Sequence, residues 1–342
     1  MSVFKKPLAL IFLSLFFNLL YSQSGLESIL IAAEQDSKKI FQGYLQPALK
    51  SSIYLMNSGW YTTAKVHKKL GFDLTISLNS AIIPSSVETF DISNLDMITS
   101  DSSSISTIFG NTESYQLNVN IPSEGLRPEI STSFFSPKGI KEKLPLGMVS
   151  SPVIQASVGL PLNSELTLRY LPEYSRNNIY FSNYGIGFKH DLLQYFSFLK
   201  RIPTLNVSAF AAYSKMNIDY DIQSSGTFSG KNQMANFNIS NYKLQILSSI
   251  NLSIFEIYSG IGVNGGDSIF KIIGDYEIEY NLRDSDIPYV VNLNNPIDIN
   301  YSIHELSKNI GIKFKFLFLH AFVDYTFQEF DVITAGISLN FR

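Results

Sequence analysis

The residues best suited to chemistry lie close together between Asn57 and Asp73. This stretch holds the only tryptophan of the chain, followed within a few residues by tyrosine, lysine and histidine. Cationic side chains beside aromatic rings could hold an anionic amphiphile such as a fatty acid, with lysine and histidine at the carboxylate and the rings along the chain. The candidate ligand-binding residues are Trp60, Tyr61, Lys65, His67, Lys69 and Asp73.

A plainer interpretation of the same residues stays open. Lysine and aromatic side chains at the start of a membrane strand serve as anchors at the membrane interface. His67 or a neighbouring lysine could also pair with Asp73 inside a barrel. In that case the stretch stabilises the fold and binds no ligand.

Catalytic motifs are missing from the sequence. None of the four histidines, at positions 67, 190, 304 and 320, belongs to a zinc-binding helix motif, and no Gly-x-Ser-x-Gly box supplies a nucleophile. The chain has no cysteine. We therefore expect no enzyme, no metal and no cofactor; an outer-membrane enzyme acting on lipid is the weakest of the functional hypotheses.

The elements that must position these residues begin with an export signal. Residues 1–22 read as a signal peptide, with Lys5 and Lys6 ahead of the apolar core Leu8–Leu20. No later run is apolar for the ~20 residues that a membrane helix needs. An exported chain without such a helix is either soluble or a β-barrel, because only helices and closed barrels satisfy their backbone in lipid.

Composition favours the barrel. Charged residues make up 16% of the chain and aromatic residues 13%, where soluble domains carry about 25% charged residues. A barrel has an apolar outer face and aromatic girdles, which explains both values. The net charge of −3 gives no basic field, so nucleic acid is not an expected partner.

Alternating polarity marks the strands. In Ile333–Arg342 and in Phe72–Ala81, apolar residues share one face and small or polar residues share the other. Pro152–Leu160 and Ser164–Leu171 form a hairpin in the same pattern. Weaker strands of the barrel are expected near Ser114–Ile121 and Glu129–Phe135, and the strand Leu252–Asn264 is followed by a separate strand-like piece, Phe270–Tyr280. We expect the faces of Phe72–Leu78 and Phe255–Val263 to contact lipid.

These patterns predict an all-β fold, a transmembrane antiparallel β-barrel of about 12 strands (alternative 14) with a short helical N-terminal segment. Residues 23–70 form the helical pre-barrel segment, which could plug the lumen, and residues 71–342 form the barrel. Gly43 and Pro47 should break the helical stretch Leu26–Leu55 into at least two pieces. A secreted soluble β-sandwich is the competing fold.

The chain resembles an uncharacterised family of exported barrel proteins from Gram-negative bacteria. The resemblance rests on a GWYxTAKxHK box leading into GFDxT, and on a second stretch, Gly185–Asp191. Its layout is more distantly similar to long-chain fatty-acid transporter barrels, although a clear Asn-Pro-Ala element like theirs is missing near the N-terminus. The matching residues of the first box are Gly59, Trp60, Tyr61, Thr63, Ala64, Lys65, His67, Lys68, Gly71, Phe72, Asp73 and Thr75.

The resemblance implies an outer-membrane location in a Gram-negative bacterium and passive uptake of a small hydrophobic molecule. The alternative is a structural or assembly-partner protein of the envelope that transports nothing. Expected partners are outer-membrane lipid, a possible hydrophobic small molecule, and the barrel assembly machinery, which would engage the last strand through Phe341.

Overall fold

A computed structural model describes residues 27–125, 128–176, 178–196, 201–222, 228–280 and 288–341. The predicted signal peptide, residues 1–22, lies outside the described residues. One α-helix, α1 (Glu34–Asn57), follows a 3-10 turn at Glu27–Ile31. Gly43 and Pro47 do not break it, so the predicted break at these two residues is wrong; the two helical pieces are separated at residues 32–33 instead. Gly43 lies against the ring of Phe90, where a β-carbon would clash.

Sixteen strands follow in the described residues. Ten belong to the barrel: β1 (Phe72–Ile82), β7 (Met148–Leu160), β8 (Ser164–Arg176), β9 (Ile179–Asp191), β10 (Leu205–Asp221), β11 (Phe228–Leu252), β12 (Phe255–Tyr280), β14 (Ile297–Phe316), β15 (Leu319–Phe327) and β16 (Val332–Phe341). The others are β2 (Thr89–Asp91), β3 (Ile98–Thr99), β4 (Ser104–Ser106), β5 (Gln116–Ile121), β6 (Ile130–Phe135) and β13 (Tyr289–Asn294).

The barrel closes through its first and last strands. β1 pairs with β16 in antiparallel register from Phe72↔Phe341 to Ala81↔Val332, and with β7 on its other edge. The remaining strands pair with their sequence neighbours, and the β11–β12 pair completes the ring. Every strand of the ring thus has a partner on both sides. β7 and β8 pair only from Gln155↔Arg169 to Leu160↔Ser164, so their facing edges separate beyond Arg169.

The closed barrel has ten strands, so the prediction of about 12 is too high. β5 and β6 alternate in polarity because one face of their small sheet packs on an apolar core, and they pair with β3 outside the barrel. Phe270–Tyr280 is the far half of β12 rather than a separate strand. Alternation alone cannot distinguish a strand that faces lipid from one that faces a water-covered core.

The two ends of the barrel differ, and we name them by their connections. At the turn end, residues 161–163, 253–254 and 317–318 join strand pairs through tight turns. At the loop end, residues 83–147 connect β1 to β7 and carry the small strands β2 to β6.

An apolar belt surrounds the barrel next to the turn end. Outward side chains such as Ile261 and Ile337 are half-exposed or more, while inward residues such as Asn79, Lys313 and Asp324 are buried. β15, β16 and β1 have 9, 10 and 11 residues, the length that a tilted strand needs to cross a bilayer. This inside-out polarity is that of a membrane β-barrel.

Aromatic side chains border the belt on both sides. At the turn end, Phe72 stacks on Phe341 with ring centroids 4.9 Å apart. Toward the loop end, exposed tyrosines lie on three consecutive strands, β8, β9 and β10; they are Tyr170, Tyr184 and Tyr213. Such girdles mark the two membrane–water interfaces.

β12 shows where the belt stops. Its inward residues change from polar, as at Glu256 and Asn264, to apolar, as at Phe270 and Ile278, all of them buried. Its outward residues change from apolar, as at Ile261, to charged and exposed, as in the stretch 275–279. The inversion occurs near Gly265, so Phe255–Gly265 crosses the belt and the rest of β12 extends beyond it.

Beyond the belt, the long strands and the small sheets enclose a separate apolar core, which we call the loop-end domain. The N-terminal half of α1 packs in it: Phe41 lies 6.1 Å from Phe270, ring centroid to centroid, and Phe237 lies 4.6 Å from Phe270. The Tyr44 hydroxyl donates to the carbonyl of Lys138 at 2.8 Å. In the described part of the chain, no helix is long and apolar enough to span a membrane.

The position of the belt gives a test. We expect Ile261→Lys, on the lipid face of β12, to lower the free energy of unfolding by about 2–4 kcal/mol, because a lysine near the bilayer centre is poorly solvated. Ile269→Lys, on the same side of the same strand but beyond the belt, should cost about 0–1 kcal/mol. Urea unfolding in lipid vesicles measures both. An equal loss of unfolding free energy in the two variants would contradict the assigned position of the belt.

Candidate functional site

The N-terminal segment runs the whole length of the lumen. Tyr280, at the loop end, donates to the carbonyl of Ile31 at 2.9 Å, so the segment starts there. It passes Asn79 and Arg169 at mid-height and reaches the turn end, where the backbone N–H of Leu70 donates to Gly159 at 2.9 Å. β1 then begins at Phe72. We call residues 34–71 the plug.

The C-terminal end of α1 is buried in the barrel and needs partners for its last carbonyl groups. The last turn of the helix contains no basic residue. The barrel wall supplies the donors instead: Arg169 binds the carbonyls of Met56 and Ser58 at 2.9 and 2.8 Å, and Lys243 binds that of Asn57 at 2.9 Å. Cations at this end also favour the helix dipole.

Two asparagines complete the collar around the helix end. Asn79 of β1 donates from one amide nitrogen to Leu55 at 2.8 Å and to Ser58 at 2.9 Å. Asn241 of β11 donates to the side chain of Asn57 at 2.6 Å. We call Asn79, Arg169, Asn241 and Lys243 the wall collar. The sequence analysis did not single them out, although a cation alternating with apolar residues, as Arg169 does in β8, is the signal that could have done so.

Trp60 lies buried against this collar. The guanidinium of Arg169 sits 3.6 Å from the centroid of the indole, a cation–π contact. The indole N–H donates to Met56 at 3.1 Å. Gly185 and Gly187 of β9 make room for the ring, because a β-carbon at either position would come within 3.2 Å of it.

Tyr61 is buried one step closer to the turn end. Its hydroxyl hydrogen-bonds Asn309 at 2.7 Å and also contacts Gln245. Its ring packs edge-on against Phe210 and Tyr258, at centroid distances of 5.2 and 6.3 Å. Both the ring and the hydroxyl are therefore in contact with the barrel wall.

Two ionic clusters hold the plug near the turn end. In the first, Glu256 accepts from Thr63 of the plug and pairs with Lys313 and Lys315 at 3.3 and 3.0 Å. In the second, Glu165 pairs with Lys189 at 2.8 Å and with Nδ1 of His67 at 2.7 Å. Buried charges are tolerated here because each has an opposite charge in contact.

The structure separates the six candidate ligand residues into two groups. Four lie inside the lumen: Trp60 and Tyr61 as described, and His67, whose Nε2 is 3.4 Å from Asp73. The other two, Lys65 and Lys69, are exposed at the turn end. The predicted contact between His67 and Asp73 is therefore present, and the binding of an amphiphile by these residues stays a prediction.

A serine and a histidine meet at the turn end. Ser164 Oγ lies 2.7 Å from Nδ1 of His190, and the Gln194 amide, oriented by Asn163, lies 3.0 Å from Nε2. The Tyr195 hydroxyl also lies 2.9 Å from Nε2. In the tautomer with the proton on Nδ1, the ring donates to Ser164, whereas a nucleophilic serine needs the opposite arrangement. The absence of enzymatic activity stays a prediction.

A cavity of about 330 Å³ lies in the loop-end domain, and no pattern in the sequence indicates it. It is lined by the start of the N-terminal segment, by β5 and β6, and by the β12–β14 region. Its lining is mostly apolar, with Leu30, Ala33, Ile121, Ile130, Tyr280 and Val291 among the residues. Burial raises the pKa of Tyr280, beyond the belt, to about 12. Across the described ranges, His, Asp and Glu form no group that could hold a metal ion.

The wall collar gives a test. We expect Arg169→Gln to loosen the plug, because two buried carbonyls lose their donor at about 1–3 kcal/mol each. Trp60 is the only tryptophan, so its quenching by acrylamide reports the plug directly and should increase. Lys271→Gln, which removes an exposed cation paired with Asp298, is the control and should leave quenching unchanged. A folded Arg169→Gln variant with unchanged quenching would refute the role of the collar.

Comparisons with known proteins return several membrane proteins. The chain is similar to the attachment invasion locus protein Ail of Yersinia pestis, with 6% identity, a TM-score of 0.27, and coverage of 80% of this chain and 99% of that one. The translocator domain of autotransporter NalP from Neisseria meningitidis is 9% identical, with a TM-score of 0.32 and coverage of 90% of this chain and 98% of that one. The Pseudomonas putida toluene transporter TodX is 10% identical, with a TM-score of 0.24 and coverage of 79% of this chain and 89% of that one.

Curated protein sequences yield no match. A family model does match, over residues 1–341, and its description is "Family of unknown function (DUF6588)". That match covers nearly the entire chain, including the plug and the strands of the barrel. The protein therefore belongs to the DUF6588 family.

Proposed function

We propose that the protein is a plugged barrel of the outer membrane that takes up a small apolar molecule, with the cavity in the loop-end domain as its capture site. The cavity is the observation that carries the proposal. At about 330 Å³ it is within the size range of small-molecule sites, which are mostly apolar with a few polar groups.

The polar groups of the cavity suit an uncharged or weakly polar ligand. The Tyr280 hydroxyl is already engaged by Ile31. Among the described residues of the lining, Glu34 carries the one charge, and the others are Ser37, Tyr280, Tyr289 and apolar residues. A strongly anionic ligand would meet no cation there, so we favour an apolar molecule over a fatty acid carboxylate at this position.

The cavity shares residues with the segment that plugs the lumen. Ala33, Glu34 and Ser37 line it, and the last two belong to the first turn of α1. A ligand that moves these residues therefore acts on the same helix whose other end is fixed by the wall collar. This supports a capture step at the loop end that is coupled to the position of the plug.

Passage through the lumen requires the plug to move. Trp60, Tyr61 and Thr63 lie across it with their polar atoms bonded to the plug itself or to the wall. In the plugged state, we expect the candidate amphiphile residues Trp60, Tyr61 and His67 to hold the plug. Lys65 and Lys69 flank its exit at the turn end, and Asp73 lies inside the lumen against His67.

The outer-membrane location is part of the proposal. The closed barrel, its apolar belt and its two aromatic girdles support it, as does the export signal expected from residues 1–22. We also propose that the assembly machinery engages β16, whose Phe341 ends the strand beside Phe72.

Filling the cavity tests the capture site. β13 directs Val291 toward the cavity and Val290 away from it, where it is 44% exposed. We expect Val291→Phe to weaken binding of the apolar fluorophore N-phenyl-1-naphthylamine roughly tenfold, or about 1.4 kcal/mol, in lipid nanodiscs corrected for empty discs. Val290→Phe is the matched control. Equal affinity in both variants would exclude the cavity as the capture site.

Locking the plug tests whether it is the gate. Thr63 Oγ1 and Ser249 Oγ are 3.4 Å apart, so a Thr63→Cys/Ser249→Cys pair should form a disulfide between plug and wall in this cysteine-free chain. We expect oxidation to stop uptake of the fluorophore into cells and reduction to restore it. The control is Ser80→Cys/Ser150→Cys, a wall–wall pair with oxygens 2.8 Å apart. Uptake that persists through the locked plug would refute gating by the plug.

A structural envelope protein is the second candidate. The loop-end domain favours it, because a domain with its own apolar core above the membrane could serve to bind a partner. In that case neither the cavity variant nor the locked plug changes uptake relative to a strain lacking the protein. Gentle cross-linking in cells would then recover a partner attached to the loop-end domain.

A further inference from the structure

Apolar side chains cover the tips of the turns at the turn end. Leu317 is 94% exposed and Leu162 81%, and Leu70, Ile254 and Phe318 are each more than half exposed. These residues lie at four different places on the rim: before β1, between β7 and β8, between β11 and β12, and between β14 and β15. Turn tips that face water normally carry polar residues or glycine.

The backbone makes this choice of residue more informative. Leu70, Leu162 and Leu317 have φ angles of +62°, +60° and +54°. Leucine is disfavoured in this left-handed conformation, where glycine or asparagine is the usual residue. Turn geometry therefore does not explain three leucines at these positions. An apolar environment around the turns would explain them.

Lysines accompany the apolar tips. Lys65, Lys68 and Lys69 are exposed in the segment that leads to Leu70. In the described part of the chain none of the three has a carboxylate within ion-pair distance, in contrast to Lys189, Lys313 and Lys315 nearby. Three exposed cations thus lie at this end without a carboxylate partner among the described residues.

The segment that carries these lysines is held firmly against the rim. Leu70 donates to Gly159, Gly159 donates to Gly71 and Gly71 donates to Lys68, at 2.9, 2.8 and 2.8 Å. Gly159 permits this contact, since a β-carbon there would lie 2.1 Å from the Lys68 carbonyl oxygen. The backbone of this segment therefore holds the lysines at the rim, while their side chains remain exposed.

We infer that the turn end is a binding site for anionic phospholipid: the apolar tips enter the interfacial layer of the leaflet and Lys65, Lys68 and Lys69 bind the phosphate groups. A leaflet surface offers two kinds of contact: its acyl boundary accepts apolar side chains, and its phosphate groups bind cations. The tips are spread around the rim and continuous with the apolar belt at Phe72 and Phe341, as expected for surrounding lipid rather than for a protein that covers one face.

This site lies at the exit of the plug. Lys65 and Lys68 flank His67, which is bound to Glu165 inside the lumen. A phospholipid held by these lysines therefore contacts the last residues of the plug and stabilises its turn-end position. The inference rests on the turn end alone and does not depend on the capture site.

Single cysteines test the position of the tips, because the chain has none of its own. Leu317→Cys carries a bimane label, and the control label is at Ser103→Cys, exposed in the loop-end domain. In vesicles containing brominated lipid, we expect strong quenching at position 317 and none at 103. A label at 317 that lipid does not quench would overturn the inference, whether water or a protein partner covers the tips.

The lysines are tested with brominated phosphatidylglycerol against brominated phosphatidylcholine at the same molar fraction. We expect severalfold preference for the anionic lipid at position 317, and loss of that preference in Lys65→Gln/Lys68→Gln/Lys69→Gln. The matched control, Lys138→Gln/Lys141→Gln/Lys143→Gln in the loop-end domain, should retain it. Equal quenching by the two lipids in the parent protein would refute recognition of the anionic headgroup.

Discussion

The structure depends on how the barrel satisfies a helix end that it has buried. α1 ends inside the lumen at Asn57, where its last carbonyl groups are buried and need partners from outside the helix. Arg169 and Lys243 project from the wall into this position and bind the carbonyls of Met56 and Asn57 in the helix and of Ser58 directly after it. The arrangement solves two problems at once, because the cations also need acceptors and would otherwise be buried charges without a partner.

Several other features follow from that contact. Because the helix ends beside Arg169, the chain turns and places Trp60 on the guanidinium, which requires glycine on β9 to leave room. The extended stretch after Trp60 then meets Glu256 and Glu165, whose charges are balanced by lysines of neighbouring strands. Polar residues on the inner faces of β1, β8, β11 and β12 are therefore matched to particular residues of the plug, and the plug occupies the lumen.

The sequence allowed the membrane strands to be predicted where alternation is strict and the strand is short, as in β1, β16 and the β7–β8 hairpin. The prediction divided β12 into two separate pieces, because the polarity of its two faces inverts near Gly265 although the strand is continuous. The prediction also placed β5 and β6 in the barrel, because apolar and polar residues alternate in the same way along a strand that covers a soluble core. The pairing of His67 with Asp73 was foreseen, but the collar was not, because Arg169 and Lys243 find their acceptors more than a hundred residues away in the chain.

The covalent link between plug and barrel limits how the lumen could open. Phe72 fixes the plug at the turn end, whereas α1 is packed at the loop end, so the stretch 58–71 acts as a tether between them. Fully extended, its 14 residues reach about 46–50 Å, which exceeds the ~30 Å of a bilayer core. The helix can therefore rise toward the loop end while every strand pair of the barrel stays intact. Movement in the opposite direction would drag the apolar half of α1, with Phe41 and Tyr44, through a polar lumen. The length of the tether thus permits the plug to move away from the turn end, once the helix leaves the wall collar and its contacts in the loop-end core.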